Sequence, residues 1–95
     1  SWGEAGSPVR IPTDWSGALP PLSARLEVVE RAGCDRRPTR LDDPVERRRL
    51  QSYIWADQPD RLARFQAAAD LALASGVRVD EGDAADWLDA RVALA

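Results

Sequence analysis

The stretch Ser75-Gly76-Val77-Arg78-Val79-Asp80-Glu81-Gly82-Asp83-Ala84-Ala85-Asp86-Trp87-Leu88 decides the fold. Ser75-Gly76 stops a helix, because glycine enters the left-handed region past a helix end without a Cβ clash. Val77-Arg78-Val79 then alternates apolar and polar, which predicts a short strand near 77–80 with Val77 and Val79 on one face. Asp83 is an N-cap acceptor for a helix over 83–94 that sets Ala84, Trp87, Leu88 and Val92 on one side.

Upstream, Asp43-Pro44-Val45-Glu46 combines an N-cap acceptor, a proline at the first helical position and a glutamate at the third. This is a capping-box pattern. Val45, Arg49, Leu50, Tyr53 and Ile54 follow at helical spacing, so a helix is expected over 44–55. Asp57-Gln58-Pro59-Asp60 resets the chain with a second cap, and the next helix runs over 58–74 with Leu62, Phe65, Ala69 and Leu73 on one face. Residues 32–42 read as a polar, Arg-rich connection. Over 24–31 two periods compete: Leu22, Leu26 and Val29 fit a helix, whereas Leu26, Val28 and Val29 suit a strand. The β-branched pair and Gly33 favour the strand. Residues 1–23 carry four prolines and three glycines and are read as an extended segment, held down by Trp2 and Trp15.

The order strand, two helices, strand, helix gives an α+β class: a small mixed α/β segment over 24–95 behind the extended residues 1–23. Strands separated by helices pair in parallel through a crossover. Two strands do not make a stable sheet unaided. The hydrophobic fraction is 44%, but sixteen of those residues are alanine and only 20 are Leu, Ile, Val or Phe. Four tryptophans therefore carry much of the burial, at roughly 150–250 Å² for each large aromatic. So thin a core implies missing neighbours: the chain is expected to be a fragment that self-associates or docks on the remainder of its own polypeptide. The absence of Met points the same way, and Ser1 reads as a residue left by processing or cloning.

Composition excludes several function classes. No stretch approaches the ~20 apolar residues of a membrane span. One cysteine, Cys34, allows no disulfide framework and fits a reduced cytoplasm. With no histidine, the usual transition-metal sites and the commonest general base are missing. All 13 cations are arginine, which together with the alanine content marks a GC-rich bacterial genome. Arg31, Arg36, Arg37, Arg40, Arg47, Arg48 and Arg49 form a basic stretch with the phosphate-gripping chemistry of guanidinium forks. It lacks interleaved aromatics, and the pI of 4.8 opposes a nucleic-acid role. A solvated face with local ion pairs is the plainer reading, and an interaction module for acidic partners is the sharper one.

The acidic run Asp80, Glu81, Asp83, Asp86, Asp89 lacks the ligand spacing of a calcium loop, so no metal is assigned. Asp83 and Asp86 are explained by helix capping and the helix dipole. Nor does Cys34, beside Asp35, Arg36 and Arg37, have a histidine to make it a nucleophile. Tyr53, Trp55, Asp57, Gln58 and Arg61 fall together at a bend between helices, with aromatic bodies and polar tips of the kind that line pockets.

Glu30-Arg31-Ala32-Gly33-Cys34-Asp35, then Pro38, Asp43-Pro44, the run Leu50-Gln51-Ser52-Tyr53-Ile54-Trp55-Ala56-Asp57-Gln58-Pro59-Asp60-Arg61 and the words Gly82-Asp83-Ala84-Ala85-Asp86-Trp87-Leu88 are similar to an uncharacterised bacterial family, a domain of unknown function. The resemblance covers about residues 24–90. Its Tyr–Trp–Asp–Gln–Arg stretch is specific, and its Gly-Asp-Ala stretch is weak alone. Members run to roughly two or three times this length and resemble, upstream, the first glycine motif of S-adenosylmethionine-dependent methyltransferases. Downstream they carry a strand with a His-Ser element. This sequence has neither. The resemblance implies a Rossmann-like parent in which Asp35 sits where such folds hold a ribose and Asp83 lies on the adenine side. Tyr53, Trp55, Asp57, Gln58 and Arg61 would then face the substrate. The expectation is thus a non-catalytic cytoplasmic segment of unknown function that holds no cofactor itself. The alternatives are part of a methyltransferase-like enzyme binding S-adenosylmethionine in the parent, and an Arg-rich interaction module.

Overall fold

Local capping chemistry fixes where the helices begin in the computed structural model, which describes residues 2–94. Asp43 stands at the N-cap of α1 (Pro44–Gln51) in an extended conformation, and its carboxylate accepts the Val45 N–H at 2.9 Å. The helix is shorter than the 44–55 expected. The Ser52 hydroxyl donates back to the Arg49 carbonyl, and Tyr53 and Ile54 close three-residue turns onto Leu50 and Gln51. These bonds tighten the last turn and end the helix.

α2 (Pro59–Ser75) follows with Gln58 at the N-cap position, where the expected second cap does not form. The Gln58 side chain is instead the acceptor for Arg61 Nη1 at 2.9 Å. Gly76 ends α2 at φ +69°, the left-handed conformation read from the sequence. α3 (Ala84–Leu94) starts at Asp83, whose Oδ1 accepts the N–H groups of Ala85 and Asp86 at 2.9 and 3.3 Å.

Between the helices lie two three-residue strands, β1 (Gly33–Asp35) and β2 (Val79–Glu81), paired in parallel with Gly33 opposite Val79, Cys34 opposite Asp80 and Asp35 opposite Glu81. The mixed α+β class and the parallel crossover stand as read. The first strand, however, is not at 24–31. Those residues form no regular structure, and Val29 is 88% exposed. A strand exists only where a partner accepts its ladder, and β2 offers that ladder to Gly33–Asp35, inside the segment read as a connection. Partner position has overridden the β-branched preference of Val28-Val29. β2 likewise lies slightly beyond 77–80, with Val77 in the connection before it.

Residues 2–32 contain no helix or strand, in keeping with the proline and glycine density. Trp2 and Trp15 are not packed down as expected: they are 57% and 56% exposed. Ser7, Pro8 and Arg10 line a cavity of about 310 Å³ together with Asp60, Ala63 and Arg64 of α2, so this part of the segment lies along that helix. Ser1, read as a leftover residue, and Ala95, the end of the 24–95 segment, lie outside the described residues.

Burial is slight throughout. Ala69, 4% exposed in the middle of α2, is the fully buried hydrophobic residue among those described. Leu62 and Phe65, on the same face, are half-buried, whereas Leu73 is exposed. The Arg47 side chain crosses from α1 to this turn of α2, pairing with Asp70 at 2.8 Å and donating to the Gln66 carbonyl at 3.4 Å. At the sheet, Trp87 of α3 donates its indole N–H to Asp80 Oδ2 at 2.8 Å. The Arg91 guanidinium lies 5.4 Å over the Trp87 ring and pairs with Glu30. This side-chain relay fastens α3 to β2 and to the irregular chain before β1. Leu88 and Val92, expected on the buried face of α3, are exposed.

Candidate functional site

The carboxyl ends of two parallel strands gather the acidic groups. Asp35 ends β1 and Glu81 ends β2 directly opposite it, and the Gly82 N–H donates to the Asp35 carbonyl at 3.0 Å. The chain then turns into α3, so the helix N-terminus opens beside the same edge. Asp35 Oδ1 accepts the Arg37 N–H at 2.8 Å, a turn bond that orients the carboxylate. Oδ2 of Asp35 appears in no hydrogen bond among the described residues.

Asp83 is also at this edge but is differently employed. Its Oδ1 caps α3, and its Oδ2 accepts Arg36 Nη2 at 3.1 Å. The backbone N–H of Asp86, the Arg36 guanidinium and the Ala85 N–H together hold the Asp83 carboxyl below the usual carboxylate range. Because the folded value is depressed, this charge stabilises the fold fully above the unfolded carboxyl value of about 3.9. The contribution is lost as pH falls through the folded value. Thermal melts followed by circular dichroism are therefore expected to show α3 loosening below about pH 4, with Asp83→Asn flattening that dependence because asparagine caps without a charge. An equal acid dependence in both proteins would contradict the assignment. Asp42, lowered by its hydrogen bond and charge attraction to Arg40 at 3.1 Å, titrates in the same direction in both.

The sequence-predicted pair Asp35 and Asp83 thus comes together at one sheet edge, with one member occupied by capping. Sequence reasoning missed Glu81, the direct register partner of Asp35. Its signal was visible, since a carboxylate directly before the glycine of a strand-to-helix turn sits at the strand end. It was overlooked because the whole acidic run was weighed as a calcium loop.

Tyr53, Trp55, Asp57, Gln58 and Arg61 lie along the α1–α2 turn and the start of α2, where the Gln58 N–H closes onto the Trp55 carbonyl at 3.0 Å and Arg61 donates to the Gln58 side chain. Trp55 is 72% exposed, and none of the five lines either cavity described for the chain. The arginines of the basic stretch largely turn to nearby acids: Arg36 to Asp83, Arg40 to Asp42, Arg47 to Asp70 and Arg49 to Glu46. Cys34 lies half-buried in the middle of β1 as a free thiol. Among the described residues, no group of three or more Cys, Asp or Glu side chains is arranged to hold a metal ion, and no helix is long and apolar enough to cross a membrane.

A second cavity, of about 510 Å³, is lined by Leu41, Leu73, Val77 and Val79 together with Arg40, Asp42 and Arg78. It is an open groove.

No curated protein and no solved structure matches the chain. A family model does match it, from end to end and so beyond the 24–90 span of the motif words. The chain belongs to the family described as an uncharacterized protein conserved in bacteria, DUF2332, which accounts for residues 1–95.

Proposed function

We propose that the carboxyl edge of β1 and β2 is the ribose-facing side of an adenosyl-cofactor site, assembled in a wider sheet than these two strands, with S-adenosylmethionine as the cofactor. The observation that carries this reading is the register setting Asp35 beside Glu81 at the carboxyl ends of adjacent parallel strands. Open α/β sheets bind ligands in the crevice outside those ends. A ribose diol presents two hydroxyl donors, and carboxylates are acceptor-only groups that match them. The donor set fits. Asp35, oriented by the Arg37 N–H, offers Oδ2, and Glu81 supplies the neighbouring carboxylate. Asp83 shapes the edge by holding α3 and Arg36 in place rather than by reaching the ligand.

When bound, S-adenosylmethionine supplies an electrophilic methyl group. The residues of this chain bind and orient; none is given a step in the transfer. Tyr53, Trp55, Asp57, Gln58 and Arg61 are proposed for the substrate side. By itself the segment is read as non-catalytic.

Calorimetric titration of S-adenosylmethionine into the 95-residue chain and into a longer protein that carries it tests the proposal. Binding to the longer protein is expected, weakened about 10–100-fold by Asp35→Ala, the value of a hydrogen bond to a charged group at about 1.5–3 kcal/mol. Absence of binding to both, or binding untouched by both Asp35→Ala and Glu81→Ala, overturns it.

A further inference from the structure

Chain geometry distinguishes the two open edges of the β1–β2 pair. The accessible surface is 8569 Å², whereas folded monomers of this mass expose about 5,400 Å². The radius of gyration is 16.3 Å, against about 12–13 Å for a compact chain of this length. Part of that surplus belongs to the extended residues 2–32. The rest lies on the folded part, where Leu71, Leu73, Val79, Leu88, Val92 and Leu94 are exposed. These residues belong to α2, β2 and α3, so the uncovered surface spans three elements rather than one. More sheet and helix covers such a surface better than a second copy does.

Two features say where that sheet continues. α3 leaves β2 and packs against β1. Crossover helices pack over the strands they connect, so a helix passing from β2 back over β1 leads to a strand on the far side of β1. Charge gives the same answer independently. Two of the three residues of β2 are charged, Asp80 and Glu81, with Arg78 just before it, whereas β1 carries Asp35 alone, with Arg31 two residues before it.

We propose that the outer edge of β1 receives a further parallel strand, rich in Val, Ile or Leu and continuous with this polypeptide, and that β2 is the true edge of the sheet. Backbone direction names the atoms. In a parallel pair each residue sends its N–H and C=O to the same side, and successive residues alternate. The Asp35 carbonyl faces β2, where it accepts from Gly82. Cys34 therefore presents its N–H and C=O to the open edge of β1, and Val79 and Glu81 present theirs to the open edge of β2. The incoming strand is buried on both faces, which is why its side chains are apolar throughout.

Amide hydrogen exchange, read residue by residue without any cofactor, tests the proposal independently of the ribose site. The sample is the protein expressed from the whole reading frame that contains this chain, at two concentrations, with the 95-residue chain as reference. The Cys34 amide is expected to exchange on the order of 100-fold more slowly in the whole protein, with Val79 and Glu81 fast in both. Slowing at Val79 and Glu81 with Cys34 still fast overturns the proposal and extends the sheet from β2. Protection of Cys34 in the whole protein that is lost on dilution also overturns it, making a second copy the cover. Failure of cofactor binding leaves every one of these readings intact.

Discussion

Replacing Trp87 by alanine is expected to release α3 from the sheet and lower stability by about 2–3 kcal/mol. Fully buried tryptophans cost about 3–5 kcal/mol on truncation to alanine. Trp87 is half-buried, so its packing share is smaller. It also makes two directed contacts: the indole N–H to Asp80 and the ring face to Arg91. A cation over an exposed ring adds about 0.5–1 kcal/mol. Removing the indole breaks the relay at its centre, leaving Arg91 and Glu30 tied to each other but not to β2. In a small domain whose core supplies only about 3–5 kcal/mol, that loss removes most of the folded population. Urea titration followed by circular dichroism checks it. Trp87→Phe keeps the ring and loses the N–H, and it is expected to fall between the wild type and Trp87→Ala. Equal behaviour of Phe and Ala would mean that the ring contributes nothing.

A second large effect is expected at Ala69. Ala69→Leu forces three further carbons into the most enclosed position of α2, and overpacking typically costs about 1–3 kcal/mol. The added bulk also crowds the turn where Arg47 reaches Gln66 and Asp70, so α1 is displaced with it. Ala68→Leu is the control, since it adds the same atoms at an exposed position of the same helix. It is expected to stay within about 0.5 kcal/mol of wild type. Midpoints that shift equally for both proteins would show that the α1–α2 contact contributes no stability.

Much of this architecture was legible because its signals are local. Asp43-Pro44, Asp83 and Gly76 act within one turn of their own position, and the structure uses each as the sequence implies. The first strand was not legible. Val28-Val29 have the better intrinsic preference, but a strand of three residues is chosen by the partner that lies beside it, and Val79–Glu81 lies beside Gly33–Asp35. The tryptophans failed for a related reason. Their size argued for burial at Trp2 and Trp15, yet burial needs a facing surface, and size carries no information about that surface. At the acidic edge, the family resemblance named Asp35 and Asp83, and the sequence read Asp83 as a cap, whereas the pairing register is what stands Glu81 opposite Asp35.

The strand pairing also sets a timetable for synthesis. The Arg36–Asp83 bond beside it spans 47 residues, and the Glu30–Arg91 pair spans 61. At roughly 5–20 residues per second, β1 leaves the ribosome several seconds before β2 exists to meet it. α1 and α2 need no such wait, because their caps and turns lie within their own sequence. A long apolar strand held unpaired for that interval would invite pairing with other chains. Gly33-Cys34-Asp35 is short, contains a glycine and ends on a charge, so the nascent strand is a poor template until its partner arrives.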